Sequence, residues 1–274
     1  MKKHFLTIII IILFIVGSAV MLYPAVSSYI NSKHASKVIS VYNDTLTDTN
    51  SEMLEETFAD AEDYNRRLNS TPDSFYMPER VSGYRDALDI TGTGIMGYID
   101  IDKIGVELPI YHTVEKEVLQ IGAGHLEGTS LPTGGSSTHC VLSGHRGLPS
   151  AKLFTDLDEL EIGDEFIITV LDRHLTYRID QILVVLPTDT DALRIVSGMD
   201  YCTLLTCTPY GINTHRLLIR GVRTDDETER AGVFVKNEAF RIDPLIVTPI
   251  TAIPILIIAL VIVFIRDRKE RKRK

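Results

Sequence analysis

Cys207 closes a run of strand-forming residues, Thr203, Leu204, Leu205 and Thr206, and Pro209 and Gly211 then interrupt the strand. The thiol is therefore expected at a strand end, where loops and solvent begin. A second strand-forming run, Thr138 to Ser143, stops in the same way at Gly144-His145-Arg146-Gly147, and Arg216 follows Cys207 by nine residues. A thiol, an imidazole and a guanidinium are the parts that thiolate acyl transfer needs. The thiolate attacks, the imidazole moves the proton, and a fixed donor holds the oxyanion of the tetrahedral intermediate. Each residue also has a plain structural reading. Cys207 reads equally as a buried apolar residue, His145 as a turn histidine, and Arg216 as a surface arginine opposite the core-facing Leu217 and Ile219. Spacing alone does not bring the three together.

The elements that must position them lie in the second half of the chain. From Gly94 onward, short strand-forming runs alternate with turns, at 95–101, 104–111, 138–144, 165–171, 174–186 (one strand or two), 201–207 and 214–222. This rhythm predicts an all-β barrel or sandwich. Short helices are expected at Lys116–Gly122 and Ala151–Leu160. Ahead of the β region, Leu54, Phe58, Ala61, Tyr64 and Leu68 recur at helical spacing and predict an amphipathic helix packed on the domain. A loop follows at Thr71-Pro72-Asp73-Ser74-Phe75-Tyr76-Met77-Pro78, and its aromatic pair must pack against something.

The two ends of the chain are apolar. Phe5–Tyr23 carries no charge, nor does Leu245–Ile265, and each approaches the ~20 residues that cross a bilayer as a helix. Lys2 and Lys3 precede the first, and Arg266, Arg268, Lys269, Arg271, Lys272, Arg273 and Lys274 follow the second. Basic flanks stay cytoplasmic, so both termini are expected inside and the middle outside. The first apolar run exceeds the ~7–15 residues of a signal peptide's apolar region, which favours an uncleaved anchor. The net charge is −9 although the basic residues crowd at the ends, so the part between is strongly acidic and unsuited to nucleic acid. About 210 residues lie between the spans, enough for one domain with its own core.

In several stretches the chain resembles the sortases, and within them the class C, pilin-polymerising type. The matching runs are Gly94 to Ile104, Leu108-Pro-Ile-Tyr-His112, Gly124 to Pro132, Ser137 to Pro149, and Thr203-Leu-Leu-Thr-Cys207 with its downstream Arg216. They recur in family order over residues 94–223. The resemblance implies a mainly β fold: the eight-stranded sortase-type barrel with short helices, an N-terminal helical and lid extension, and two transmembrane helices. It divides the chain into an anchor (1–33), a helical extension with lid loop (34–93), the catalytic barrel (94–223), a linker (224–243), a second span (244–265) and a basic cytoplasmic tail (266–274). It makes Cys207 the nucleophile, His145 the acid/base partner and Arg216 the stabiliser of oxyanion or substrate. The implied reaction cleaves a Leu-Pro-x-Thr-Gly-like signal between Thr and Gly through a thioester. A lysine ε-amine of the next pilin, or a cell-wall amine in a housekeeping-type enzyme that anchors surface proteins, then resolves it. No cofactor is implied. The lid of class C enzymes carries an Asp-Pro-aromatic motif, for which Asp73-Ser74-Phe75 is the nearest match. Asp73 would contact the catalytic arginine and Phe75 would cover the thiol, although Ser74 replaces the proline. A plain packed loop is the competing reading.

Smaller signals complete the picture. Thr206 and Thr208 flank the thiol and Arg146 follows His145; each is a candidate for substrate binding, or an ordinary strand-end or loop residue. Cys140 lies five residues before His145, and Cys202 five before Cys207. On adjacent parallel strands these two would sit level and face away from the catalytic side. They read as a disulfide pair or, given strict disulfide geometry, more plainly as two small buried apolar residues. His112, His125, His139, His174 and His215 share no ligand spacing, so no metal site is expected. Two rival functions stand beside transpeptidation: a secreted cysteine peptidase that passes the acyl group to water, and a tethered binding module without turnover.

Overall fold

The computed structural model describes residues 2–224 and, beyond them, residues 254, 257, 258, 261 and 265. The expected second span at 244–265 and the basic tail therefore fall almost wholly outside the described residues. The chain divides between Tyr29 and Ile30 into two units. Helix α1 (Lys2–Asp48) passes through that division and contains Pro24. In the first unit it exposes Ile12, Leu13, Ile15, Val16 and Val20. Among the described residues this is one helix long and apolar enough to cross a membrane, with mean hydropathy 2.0.

In the second unit, α2 (Ser51–Ser70) forms where the periodicity predicts, with Leu54, Phe58, Ala61, Tyr64 and Leu68 buried. Asn50 caps it, its Oδ1 accepting from the Glu52 N–H at 2.6 Å, and the acidic Glu52 suits the first turn. Both helices are tied to the β region by buried hydrogen bonds. Tyr42 Oη on α1 donates to Met96 O (3.1 Å) and accepts from Leu171 N (2.8 Å). Asn65 on α2 donates to Leu131 O and accepts from Leu131 N.

The β region comprises β1 (Ile95–Ile101), β2 (Val106–His112), β3 (Ala123–His125), β4 (Thr138–Ser143), β5 (Glu165–Val170), β6 (Arg173–Val185), β7 (Asp200–Thr208) and β8 (His215–Arg223). A short α3 (Lys116–Leu119) precedes β3. The strands close into a barrel in the order β1-β2-β3-β4-β7-β8-β6-β5. The pairs β2–β3 and β4–β7 are parallel and the rest antiparallel. The eight-stranded barrel that the resemblance implied is thus present.

The structure corrects two local expectations and settles a third. The stretch 151–160 forms turns and a single 3-10 turn at Leu157–Glu159 instead of an α-helix, because Leu153 adopts φ +41°, which no α-helix accommodates. The run 174–186 is one strand, with a bulge between Ile179 and Gln181 that shifts its register on β8. β3 was not expected, since three residues carry no readable alternation.

Alternation along β4, β7 and β8 separates two faces. Cys140, Leu142, Cys202, Leu204, Leu217 and Ile219 point into the main core. Val141, Leu205 and Leu218 point the other way, into a separate apolar patch with Leu183, Leu193 and Phe75. Cys207 and Arg216 continue this second face by the period of two.

Candidate active site

Cys207 sits half-buried near the end of β7, directly opposite Arg216 of β8 in antiparallel register. Directly opposed residues share a face, with Cβ atoms about 4.5–5.5 Å apart. On its other side β7 runs parallel to β4, with Ser143 paired to Leu205. The pairing continues one step further: Gly144 N donates to Leu205 O (3.1 Å), and Thr206 Oγ1 donates to Gly144 O (2.8 Å). His145 therefore leaves β4 two residues beyond the Ser143–Leu205 pair, level with Cys207. The thiol-bearing strand lies between the imidazole-bearing and guanidinium-bearing strands. Gly144 makes this exit feasible, because a Cβ there would meet the Phe154 ring at 2.6 Å.

Arg216 Nη1 donates to the carbonyls of Asn213 (3.2 Å) and His215 (3.1 Å), which fixes the guanidinium against the β7–β8 turn. Among the described residues its Nε and Nη2 donate to no partner, and a guanidinium carries five N–H donors. Those free donors are what an oxyanion or a substrate carbonyl requires. Burial holds the His145 imidazole below the usual histidine range, so near neutral pH it is uncharged and able to accept a proton.

The residues flanking this row lace the site together. Thr206 is buried with its hydroxyl bonded to Gly144 O, on the face opposite Cys207. Thr208 accepts from Arg146 Nη1 at 3.4 Å. Arg146 has only 9% of its side chain exposed, pairs with Asp158 through Nη2, and lies 5.9 Å from the Tyr210 ring centroid. It straps the loop after His145 to the end of β7, and its buried Nε has no partner.

The loop ahead of the barrel follows the apolar face. Phe75 packs against the apolar cluster of Val141, Leu193 and Leu218, which Leu205, the residue two before Cys207, also joins. The Arg194 guanidinium lies 4.2 Å from the centroids of both Phe75 and Tyr76, and the Tyr76 hydroxyl meets Thr190 Oγ1 at 3.2 Å. Gly128 (φ +90°) allows the loop to approach, since a Cβ there would meet Phe75 O at 2.6 Å. Asp73 differs from expectation. It takes φ +58°, and its exposed carboxylate faces Arg80 at 4.0 Å, so the anticipated contact with Arg216 is not made. Arg194 was missed in the sequence, where the only hint was an aromatic pair in need of a partner.

A histidine beneath this loop makes stability depend on pH. His139 bonds to Arg194 O (2.9 Å) and Thr203 Oγ1 (2.7 Å). Burial lowers its pKa and that of His112, as it does for His145. The unfolded chain titrates these imidazoles near 6.5 and the folded chain lower. Between those values the unfolded state binds more protons, so their contribution is complete above pH 6.5 and is lost as pH falls through the folded values. Tm at pH 5 is expected below Tm at pH 7.5, with a smaller difference in His139→Asn, which keeps a donor for Arg194 O. Burial raises Asp200 and acts in the opposite sense, so this single variant isolates the histidine contribution. Equal pH dependence in the two proteins would contradict it.

The family described as Sortase domain matches residues 99–224, from β1 to the end of β8. The solved structure of sortase C1 from Streptococcus agalactiae is 45% identical, covers 70% of this chain and 100% of its own, and superposes with a TM-score of 0.64. The chain belongs to the sortase family. Its solved neighbours are class C sortases, among them sortase C of Streptococcus pneumoniae (43% identical, 69% of this chain, 96% of that chain, TM-score 0.62). Another is a Clostridium perfringens sortase C determined with the C-terminal cell wall sorting motif (42% identical, 70% and 100%, TM-score 0.61). Among curated relatives, sortase D of Bacillus subtilis (strain 168) is 31% identical over 130 residues, which are 46% of this chain and 63% of that protein. The match to sortase A of Streptococcus agalactiae serotype III (strain NEM316) spans 55% of that protein. The chain thus spans less than two thirds of these two curated sortases.

Proposed function

We propose that this sortase is a membrane-anchored cysteine transpeptidase of the pilin-assembling type. Its substrate is a protein ending in a Leu-Pro-x-Thr-Gly-like signal. The His145 imidazole takes the proton of the Cys207 thiol, the thiolate attacks the threonine carbonyl, Arg216 holds the oxyanion, and collapse forms a thioester while the His145 imidazolium returns that proton to the departing glycine amine. A lysine ε-amine of the next pilin attacks the thioester, His145 takes the proton that the amine gives up, the sulfur leaves as thiolate, and an isopeptide bond remains. The observation that carries this reading is the register that sets Cys207 opposite Arg216 and level with His145. The apolar α1 is consistent with anchoring, and the basic flanks in the sequence favour cytoplasmic termini with the barrel outside.

Product analysis tests the reaction class. With a sorting peptide and a lysine-bearing pilin fragment, the expected product is the branched conjugate. Cleaved acid alone would instead favour the peptidase reading. A product formed only with a cell-wall precursor amine would favour a housekeeping enzyme.

The loop 72–77 acts in this reading as a lid, with Phe75 and Arg194 as its latch and Asp73 outside it. Phe75→Ala is expected to raise the alkylation rate of Cys207 by iodoacetamide several-fold, and Asp73→Ala to change it less. An unchanged rate in Phe75→Ala would remove the lid.

A further inference from the structure

The two strands that carry the site hold a second pair of sulfurs that the proposed reaction does not use. Cys140 of β4 and Cys202 of β7 are direct partners in the parallel register. They are 2% and 0% exposed, belong to the main core, and are free thiols in this structure. Neighbouring strands run about 4.8 Å apart, which falls inside the roughly 4.4–6.8 Å between Cα atoms that a disulfide spans. Both side chains point to the same side of the sheet, away from Cys207, so the nucleophile does not compete for either sulfur. Burial disfavours both thiolates, but hydrogen bonding to Cys202 and His125 favours that of Cys140, which makes it the easier of the two to ionise.

We propose that Cys140 and Cys202 form a disulfide that staples β4 to β7. The pair sits five residues upstream of both His145 and Cys207. A bond there locks the register that sets imidazole and thiol level and leaves Cys207 the one free thiol. The proposal rests on the exterior placement of the barrel in the reading above, because an oxidising space is needed. The oxidant is a disulfide, either of a thiol oxidoreductase or of oxidised glutathione. The Cys140 thiolate attacks one of its sulfurs and releases the other as thiolate. The Cys202 thiolate then attacks the Cys140 sulfur and releases the second. Two protons and two electrons leave the protein, and the oxidant is reduced to two thiols. Since both sulfurs are inaccessible in the closed barrel, the exchange takes place while the chain folds.

The test reads the thiols of the full chain as it stands in cells. Cells expressing it are quenched in acid, and the protein is denatured without reductant, alkylated with N-ethylmaleimide and digested. A linked peptide pair containing Cys140 and Cys202 is expected, with neither carrying the alkyl group, whatever the state of Cys207. Purified in detergent, the protein is expected to unfold roughly 10 °C lower when dithiothreitol is present throughout the melt, because the bond is reduced as the barrel opens. The Cys140→Ala/Cys202→Ala variant, if it folds, is expected to show no such shift. Cys140 and Cys202 both alkylated, or either linked to Cys207, would overturn the proposal. The linkage is read without substrate. A linked pair in a chain that forms no conjugate would therefore count against the transpeptidase reading and leave the staple standing.

Discussion

Cys207→Ala is expected to lose acyl transfer by at least about 10⁴-fold in kcat/KM, with the barrel intact. Alanine removes only the sulfur from a half-buried strand-end position, whereas β7 is held by its pairing with β4 and β8 and by the Thr206–Gly144 bond. The change is therefore chemical: no thiolate, no thioester. Peptide turnover measured beside Tm separates the two effects. Near-normal turnover in this variant would defeat the mechanism, and a collapsed Tm would mean that the sulfur has a structural role.

Arg216→Lys is expected to cost about 10²-fold in kcat and Arg216→Ala about 10³-fold, with smaller changes in KM. The guanidinium is anchored by Nη1 on the Asn213 and His215 carbonyls, which leaves Nε and Nη2 for the reacting carbonyl in the proposed mechanism. A lysine keeps the charge but presents its donors from one atom, so it cannot bind the turn and the oxyanion in the same fork. The deficit should appear in the rate of acyl-enzyme formation under single turnover. A pure rise in KM with kcat unchanged would reassign Arg216 to ground-state substrate binding.

The strands that carry Cys207, His145 and Arg216 were legible in their strand-forming runs, whereas the roles of the three residues came from the resemblance, because spacing alone does not bring them together. Cys207 and Arg216 fall opposite each other once Pro209 and Gly211 end one strand and the next begins near Thr214. Cys140 and Cys202, expected level only if their strands were adjacent and parallel, are direct partners because β4 and β7 pair in that way. What escaped depends on backbone and tertiary detail. Leu153 at φ +41° removes a helix that composition favours. Asp73 turns its carboxylate to Arg80 because it occupies the left-handed region of a tight turn, with Tyr76 and Met77 bonded back to its carbonyl. Arg194 is an ordinary loop arginine until the fold sets it against two aromatic rings. A linear sequence likewise does not show that the Thr206 hydroxyl reaches Gly144 O.

The most direct measurement is the intact mass of the full-length protein in detergent, with wild-type and Phe75→Ala chains each mixed with a Leu-Pro-x-Thr-Gly peptide. The expected result is an adduct equal to the peptide through its threonine, located on Cys207, formed faster in Phe75→Ala and discharged by an added amine. No adduct in either protein, or one that persists in Cys207→Ala, would contradict a thioester mechanism at this site.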